Sequence, residues 1–153
     1  MESAERLYLE LGRKLGLDQP LVADGRRTLL FDGSIGISFL EDPEGRLNAV
    51  LLVSRLGTAQ EHAGAMRHLL ESNFLPSAHG GARFAIDAGS NKVALVKRWE
   101  SEQLEADNIL LDLAKMISSV ETMRKRLEDL MTYPDQEEGI DDDLSLERNL
   151  PFA

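Results

Sequence analysis

The feature that most constrains the fold is a long apolar stripe in the C-terminal third of the chain. Seven apolar residues follow one another at alternating intervals of four and three: Ile109, Leu113, Met116, Val120, Met123, Leu127 and Leu130. This spacing places all seven on one face of a helix that continues for three heptads. Such a stripe can form a coiled coil with a second chain or pack on a sheet. Because strand-like segments precede it, we expect it to pack on the chain's own sheet.

Short strand-like segments separated by tight turns predict that sheet. The segments TLLF (28–31), IGISFL (35–40) and RLNAVLLVSRL (46–56) are joined by DGS and by the turn DPEG (42–45). Connections this short join antiparallel neighbours, so the three segments are predicted to form a meander. In the second and third segments apolar residues recur at every second position, which is the period of a strand. ARFAID (82–87) and KVALVKRW (92–99), on either side of the turn AGSN, are predicted to form a hairpin.

Two further helices complete the predicted order of elements. Leu7, Tyr8, Leu11 and Leu15 recur at helical spacing before Gly16, which predicts an amphipathic helix over about residues 3–16. A second helix is predicted to begin at the capping box TAQE (58–61) and to end near Asn73. The order α-β-β-β-α-β-β-α predicts an α+β fold, with helices packed on a twisted antiparallel five-stranded sheet.

Charge divides the chain into a balanced body and an acidic tail. The 153 residues carry 17 basic and 27 acidic groups, a net charge of −10, which argues against a nucleic-acid ligand. Residues 132–153 hold seven acids and one arginine, so −6 lies on the tail and −4 on residues 1–131. We therefore expect one domain over residues 1–131 and a disordered tail over residues 132–153. Four apolar residues of the tail are candidates for docking on the body instead: Leu144, Leu146, Leu150 and Phe152.

No segment of the sequence has the pattern of a catalytic or metal site. His62 and His68 are six residues apart, hence on different faces of one helix, and His79 follows in a loop. Gly80-Gly81 precedes a strand and not the helix N-terminus that a phosphate would need, so we expect a simple turn there. The chain has no cysteine, no signal peptide pattern and no apolar run long enough to span a membrane. We expect a cytosolic protein that is not an enzyme and that uses no cofactor or metal ion.

The ordered set of motifs resembles the class I effector chaperones of bacterial type III secretion systems, the Tir chaperone family. The matching motifs are the leading helix ending in LGL, FDGSIGISFLEDPEGRL, RLG before the second helix, LLESNFLPSAHGGARFAID, KVALVKRW and the long closing helix. The resemblance covers about residues 3–131 and leaves the tail unexplained. It implies a homodimer in the bacterial cytoplasm that binds the N-terminal region of one or more secreted effectors. It further implies that the effector stays extended and secretion-competent without ATP hydrolysis, and that the secretion ATPase is a further partner.

The candidate site residues come from this resemblance together with the physics of sheet edges. A strand at an edge leaves unpaired N–H and C=O groups that an extended peptide can join, and TLLF is the predicted edge. The candidate effector-binding residues are therefore Leu7, Leu11, Leu29, Phe31, Ile35 and Ile37. The family pairs through its second helix and fourth strand, which implies a dimer interface at Met66, Leu69, Leu70, Phe74, Phe84 and Ile86, although several of these could equally be core. Two alternatives stay open: a binding or regulatory module of the same fold outside secretion, and a small enzyme whose site spans a dimer.

Overall fold

The predicted class and element order are confirmed by a computed structural model, which describes residues 2–22, 25–56 and 59–132. Within these residues there are three helices: α1 (Glu2–Lys14), α2 (Ala59–Ser72) and α3 (Ala106–Thr132). The strands are β1 (Arg26–Phe31), β2 (Ile35–Glu41), β3 (Leu47–Arg55), β4 (Arg83–Asp87) and β5 (Lys92–Trp99). Two short 3₁₀ helices, Pro76–His79 and Ser101–Gln103, precede β4 and α3.

The five strands form one antiparallel sheet in the order β1-β2-β3-β5-β4. The first three strands are the predicted meander, and the β4–β5 hairpin joins it through β5, which pairs with β3. As predicted, β1 is an edge strand, and β4 forms the other edge. In the register of the meander, Phe31 lies opposite Ile35 and Leu29 opposite Ile37.

One face of the sheet packs against the helices and forms the core. Alternate residues of β2, β3 and β5, among them Phe39, Leu51 and Leu95, are buried on this inner face. All seven residues of the apolar stripe of α3 are buried as well. Because the stripe is buried within a single chain, the prediction that it packs on the sheet is confirmed, and the coiled-coil alternative is not needed.

The helix boundaries differ slightly from the sequence-based ones. α1 ends at Lys14, two residues early, because Gly16 takes a left-handed conformation with φ 78°. Leu15 therefore falls beyond the helix and is exposed. Three predictions lie outside the described residues: the Thr58 end of the capping box, the side chain of His62 and the tail from residue 133 onward.

Candidate functional site

The β1 edge is the first candidate surface, because apolar side chains and open main-chain groups occur there together. Among the described strands β1 pairs only with β2, so its other side presents N–H and C=O groups to solvent. Leu30 is 65% exposed and Phe31 is 37% exposed. Leu30 lies opposite Gly36 and points to the outer face of the sheet, whereas Phe31 lies opposite the buried Ile35 on the inner face. An extended segment added here would meet apolar groups on both faces.

The structure separates the six candidate effector-binding residues into two groups. Leu7, Leu11, Ile35 and Ile37 are buried in the core and offer no surface to another chain. Leu29 is partly buried, and Phe31 is the one member of the six that is exposed. Leu7 and Leu11 of α1 belong to the same buried core as Ile35 and Ile37, so of these elements β1 is the one that exposes apolar candidates. Leu30 was not among the predicted binding residues, although its position between Leu29 and Phe31 places it on the outer face of an edge strand.

Arg124 of α3 fixes the end of the β1 edge that carries Phe31. Its Nε donates to the carbonyl of Val53 at 2.7 Å, and its Nη2 donates to the carbonyls of Ser34 at 2.9 Å and Leu52 at 3.0 Å. Ser34 belongs to the turn between β1 and β2, and the pairing of β3 with β5 shifts register between Leu52 and Ser54. A register shift of this kind leaves strand carbonyls without their regular partners. The planar guanidinium satisfies them and ties the turn to α3.

Tyr8 of α1 anchors the opposite end of the meander. Its hydroxyl donates to the carboxylate of Glu41, the last residue of β2. Burial raises the pKa of Tyr8 above its usual value, and the hydrogen bond to Glu41 raises that pKa further. The side chain of Lys14, at the end of α1, bonds Asp107 of α3 at 2.7 Å. These contacts tie α1 to the end of β2, the strand that pairs with β1, and to the start of α3.

A second candidate surface lies at the C-terminal end of α2. We call it the α2 patch, defined by four exposed apolar residues: Met66, Leu70, Phe74 and Leu75. Phe74 is 83% exposed, Leu70 71% and Leu75 65%. Large apolar side chains clustered at this exposure mark contact sites in soluble proteins. Three members were among the candidate interface residues, and Leu75 is added by the structure.

Leu69 and Phe84, the other strongly apolar candidates for the interface, are core residues of the single chain. Both are buried, and Ile86 is partly buried. The side-chain amide of Asn73 brackets Phe84: its Oδ1 accepts from the Phe84 N–H at 2.7 Å and its Nδ2 donates to the Phe84 carbonyl at 3.0 Å. The Phe84 ring meets His79 edge to face at 5.2 Å. Phe84 is therefore part of the core of the single chain, and its place in a dimer interface stays a prediction.

His79, which follows α2 in the loop, caps the C-terminal end of that helix. Its ring bonds the carbonyl of Ser72, the last residue of α2, at 2.9 Å and the hydroxyl of Ser119 at 2.8 Å. With Nε2–H as donor to the carbonyl, Nδ1 accepts from the serine hydroxyl, so both ring nitrogens are used. Gly80 and Gly81 follow with φ 69° and 85° and turn the chain into β4, as predicted. This cluster joins α2, α3 and β4 and leaves no ring nitrogen available for catalysis.

The described residues hold no group of three His, Asp or Glu side chains placed to bind a metal ion. Within the same ranges, none of the helices combines the length and apolar character that crossing a membrane requires.

Comparison with known proteins gives a family and several structural neighbours. The model of the Tir chaperone protein (CesT) family matches residues 6–124. One chain of the ExsC–ExsE complex superposes with a TM-score of 0.68 at 24% identity, covering 82% of this chain and 94% of that one. A chain of the HopA1–SchA chaperone–effector complex superposes with a TM-score of 0.66 at 19% identity, over 82% and 98% of the two chains. The Yersinia pestis type III secretion chaperone SycH, in complex with a fragment of YscM2, gives 0.61 at 18% identity, over 78% and 98%. No curated protein matches the sequence significantly.

Proposed function

This chain belongs to the Tir chaperone protein (CesT) family, as the resemblance of its motifs indicated, and from that premise we propose that it is a type III secretion chaperone that binds an effector protein. In this proposal the N-terminal region of the effector binds as an extended chain and stays competent for secretion. Two of the similar structures are named as a chaperone–effector complex and as a secretion chaperone with a bound fragment, which supports a binding role.

The observation that carries the proposal is the β1 edge, with Leu30 and Phe31 exposed beside open main-chain groups. Main-chain pairing with an added strand provides affinity for many sequences, and the apolar groups on alternate positions select among them. Arg124 donates to the carbonyl of Ser34 in the turn at the end of this edge, so a bound segment meets a surface that is already formed. Binding of this kind requires no chemical step.

The same proposal includes a homodimer formed through the α2 patch. A contact between two copies would cover Phe74, Leu70 and Leu75, which are more exposed than apolar residues of a stable monomer usually are. The β4 edge lies beside the patch and is the second open edge of the sheet. The family relationship supports a bacterial cytoplasmic location and the secretion ATPase as a further partner, and both belong to the proposal.

The test is capture of partners from the native bacterium with the tagged full-length chain. We expect a secreted effector to co-purify with the wild-type protein and to bind Phe31→Asp at least tenfold more weakly, a loss of about 1.4 kcal/mol. Leu30→Asp changes a more exposed position of the same edge, so it tests effector binding even if Phe31→Asp does not fold. Leu111→Asp, an exposed leucine of α3, is the matched control and should bind as wild type.

Folded, dimeric Phe31→Asp and Leu30→Asp proteins that retain full affinity would show that the partner does not use the β1 edge. Capture of a protein that is not secreted would instead favour a regulatory or binding module of the same fold.

A further inference from the structure

The C-terminal tail contains a segment with the period of a β-strand. Leu144, Leu146, Leu150 and Phe152 all occupy even positions, so in an extended chain they share one side. Ser145, Glu147, Asn149 and Pro151 occupy the odd positions and share the other side. Arg148 shares the side of the four apolar residues, so the face to be buried consists of two apolar pairs, 144/146 and 150/152, separated by one charged position.

The charges preceding that segment complement those of β1. Three consecutive aspartates, residues 141–143, come directly before Leu144. Strand β1 begins with Arg26 and Arg27 and contains no acidic residue. Arg26 is exposed and Arg27 is partly buried, with its guanidinium bonded to Gln19. Opposite charges on neighbouring strands stabilise their pairing and fix its register.

The tail also begins close enough to β1 for its aspartates to reach that strand. Arg124 of α3 contacts the carbonyl of Ser34 in the β1–β2 turn, and the helix continues for only two more turns, to Thr132. Residues 133–143 number eleven, and an extended chain of that length spans up to about 36 Å. Strand β1 has six residues and is about 20 Å long. The aspartates can therefore reach either end of β1.

From these observations we propose that residues 144–152 dock along the β1 edge of the same chain, with the aspartates beside Arg26 and Arg27. The apolar side chains of the tail then cover Leu30 if they lie on the outer face of the sheet, or Phe31 if they lie on the inner face. Pro151 has no N–H to offer, so the docked segment does not present a complete new edge to further chains. The tail acts as an internal ligand that keeps the apolar edge covered until a stronger segment replaces it.

The consequence for binding rests on the function proposed above. A tethered segment competes at an effective concentration in the millimolar range. A tail docked for nine tenths of the time would weaken the apparent affinity of any other ligand at this edge by about tenfold. Weak effector segments would then be excluded while strong ones still bind.

Docking itself can be tested without any partner. Because the sequence has no cysteine, one introduced cysteine can be labelled specifically. A nitroxide attached at Ser145→Cys lies on the polar side of the segment, and amide NMR of the full-length chain reports which residues approach it. We expect broadening of the signals of Thr28 and Leu30, reduced at high salt because the aspartates and arginines are screened. The matched control carries the same label with Leu144→Asp and Leu146→Asp, and it should lose the broadening.

Hydrogen exchange provides the second measurement. In the wild-type full-length protein, the outward-facing amides of β1 should exchange about tenfold more slowly than in the Leu144→Asp/Leu146→Asp variant, if the tail is docked nine tenths of the time. Equal exchange in both proteins, together with no broadening, would overturn the proposal.

Broadening that maps to the α2 patch would also overturn the proposal, as would broadening seen only between labelled and unlabelled copies in a mixture. None of these experiments includes an effector. A negative result would therefore overturn tail docking alone, and the chaperone function is tested separately by the capture experiment.

Discussion

Replacing Phe74 by aspartate should dissociate the proposed homodimer. Phe74 is 83% exposed in the single chain, so nearly all of its ring is available for burial against a second copy. Burying a phenylalanine side chain fully is favourable by about 1.5–3 kcal/mol. In a two-fold symmetric dimer the residue is buried twice, which gives about 3–6 kcal/mol. At 1.4 kcal/mol per tenfold, the dissociation constant of the dimer should rise by roughly 10²–10⁴-fold.

Sedimentation velocity across a concentration series measures this constant directly. Leu111→Asp makes the same chemical change at an exposed leucine of α3 outside the α2 patch, and it should leave the dimer as tight as wild type. Circular dichroism of both variants checks that the fold is intact, as expected because Phe74 lies outside the core. A wild-type protein that is monomeric at tens of micromolar, or a Phe74→Asp protein that dimerises normally, would show that the reasoning about the patch is wrong.

Two further predictions concern stability. Arg124→Met removes three hydrogen bonds to carbonyls, so it should lower the free energy of unfolding by about 2–4 kcal/mol. Arg124→Lys should recover only part of that free energy, because an ammonium group lacks the planar fork of a guanidinium. Calorimetry should show the midpoint falling by about 2–4 °C per kcal/mol, and an unchanged midpoint would contradict the role of Arg124. Removal of residues 133–153 should lower the free energy of unfolding by only about 1.4 kcal/mol, a few degrees in the midpoint, because the core lies within the described residues and a tail docked nine tenths of the time stabilises the fold by RT ln 10. Loss of cooperative unfolding on truncation would show instead that the tail is part of the core.

The fold was predictable because its signals are periodic. Seven buried positions of α3 follow the heptad, and alternate positions of β2, β3 and β5 follow the strand period. Burial of one face of an element repeats at a fixed interval, and such an interval can be measured in a sequence without knowledge of any neighbour. The positions of the helix ends were less certain, as Leu15 shows, because they depend on the conformation of the single residue Gly16.

The surfaces were less predictable because an apolar residue does not reveal what covers it. Phe74 and Phe84 are equally apolar, yet Phe84 is enclosed by Asn73 and His79 whereas Phe74 is exposed. On β1, Leu29 packs against the core whereas its neighbours Leu30 and Phe31 are exposed, although all three are apolar. Leu75, before Pro76, lies in a segment without any period, so no pattern marks it. Contacts between distant segments decide these cases.

The position of α3 at the end of the domain has a consequence for synthesis on the ribosome. The sheet is complete in sequence at Trp99, but the helix that covers its inner face ends at Thr132, 33 residues later. At about 5–20 residues per second, those residues take roughly 2–7 s to be made. A helix forms in about a microsecond once its residues are available, so translation sets the delay. For those seconds Phe39, Leu51 and Leu95 lack their cover, and the nascent chain itself needs protection from aggregation.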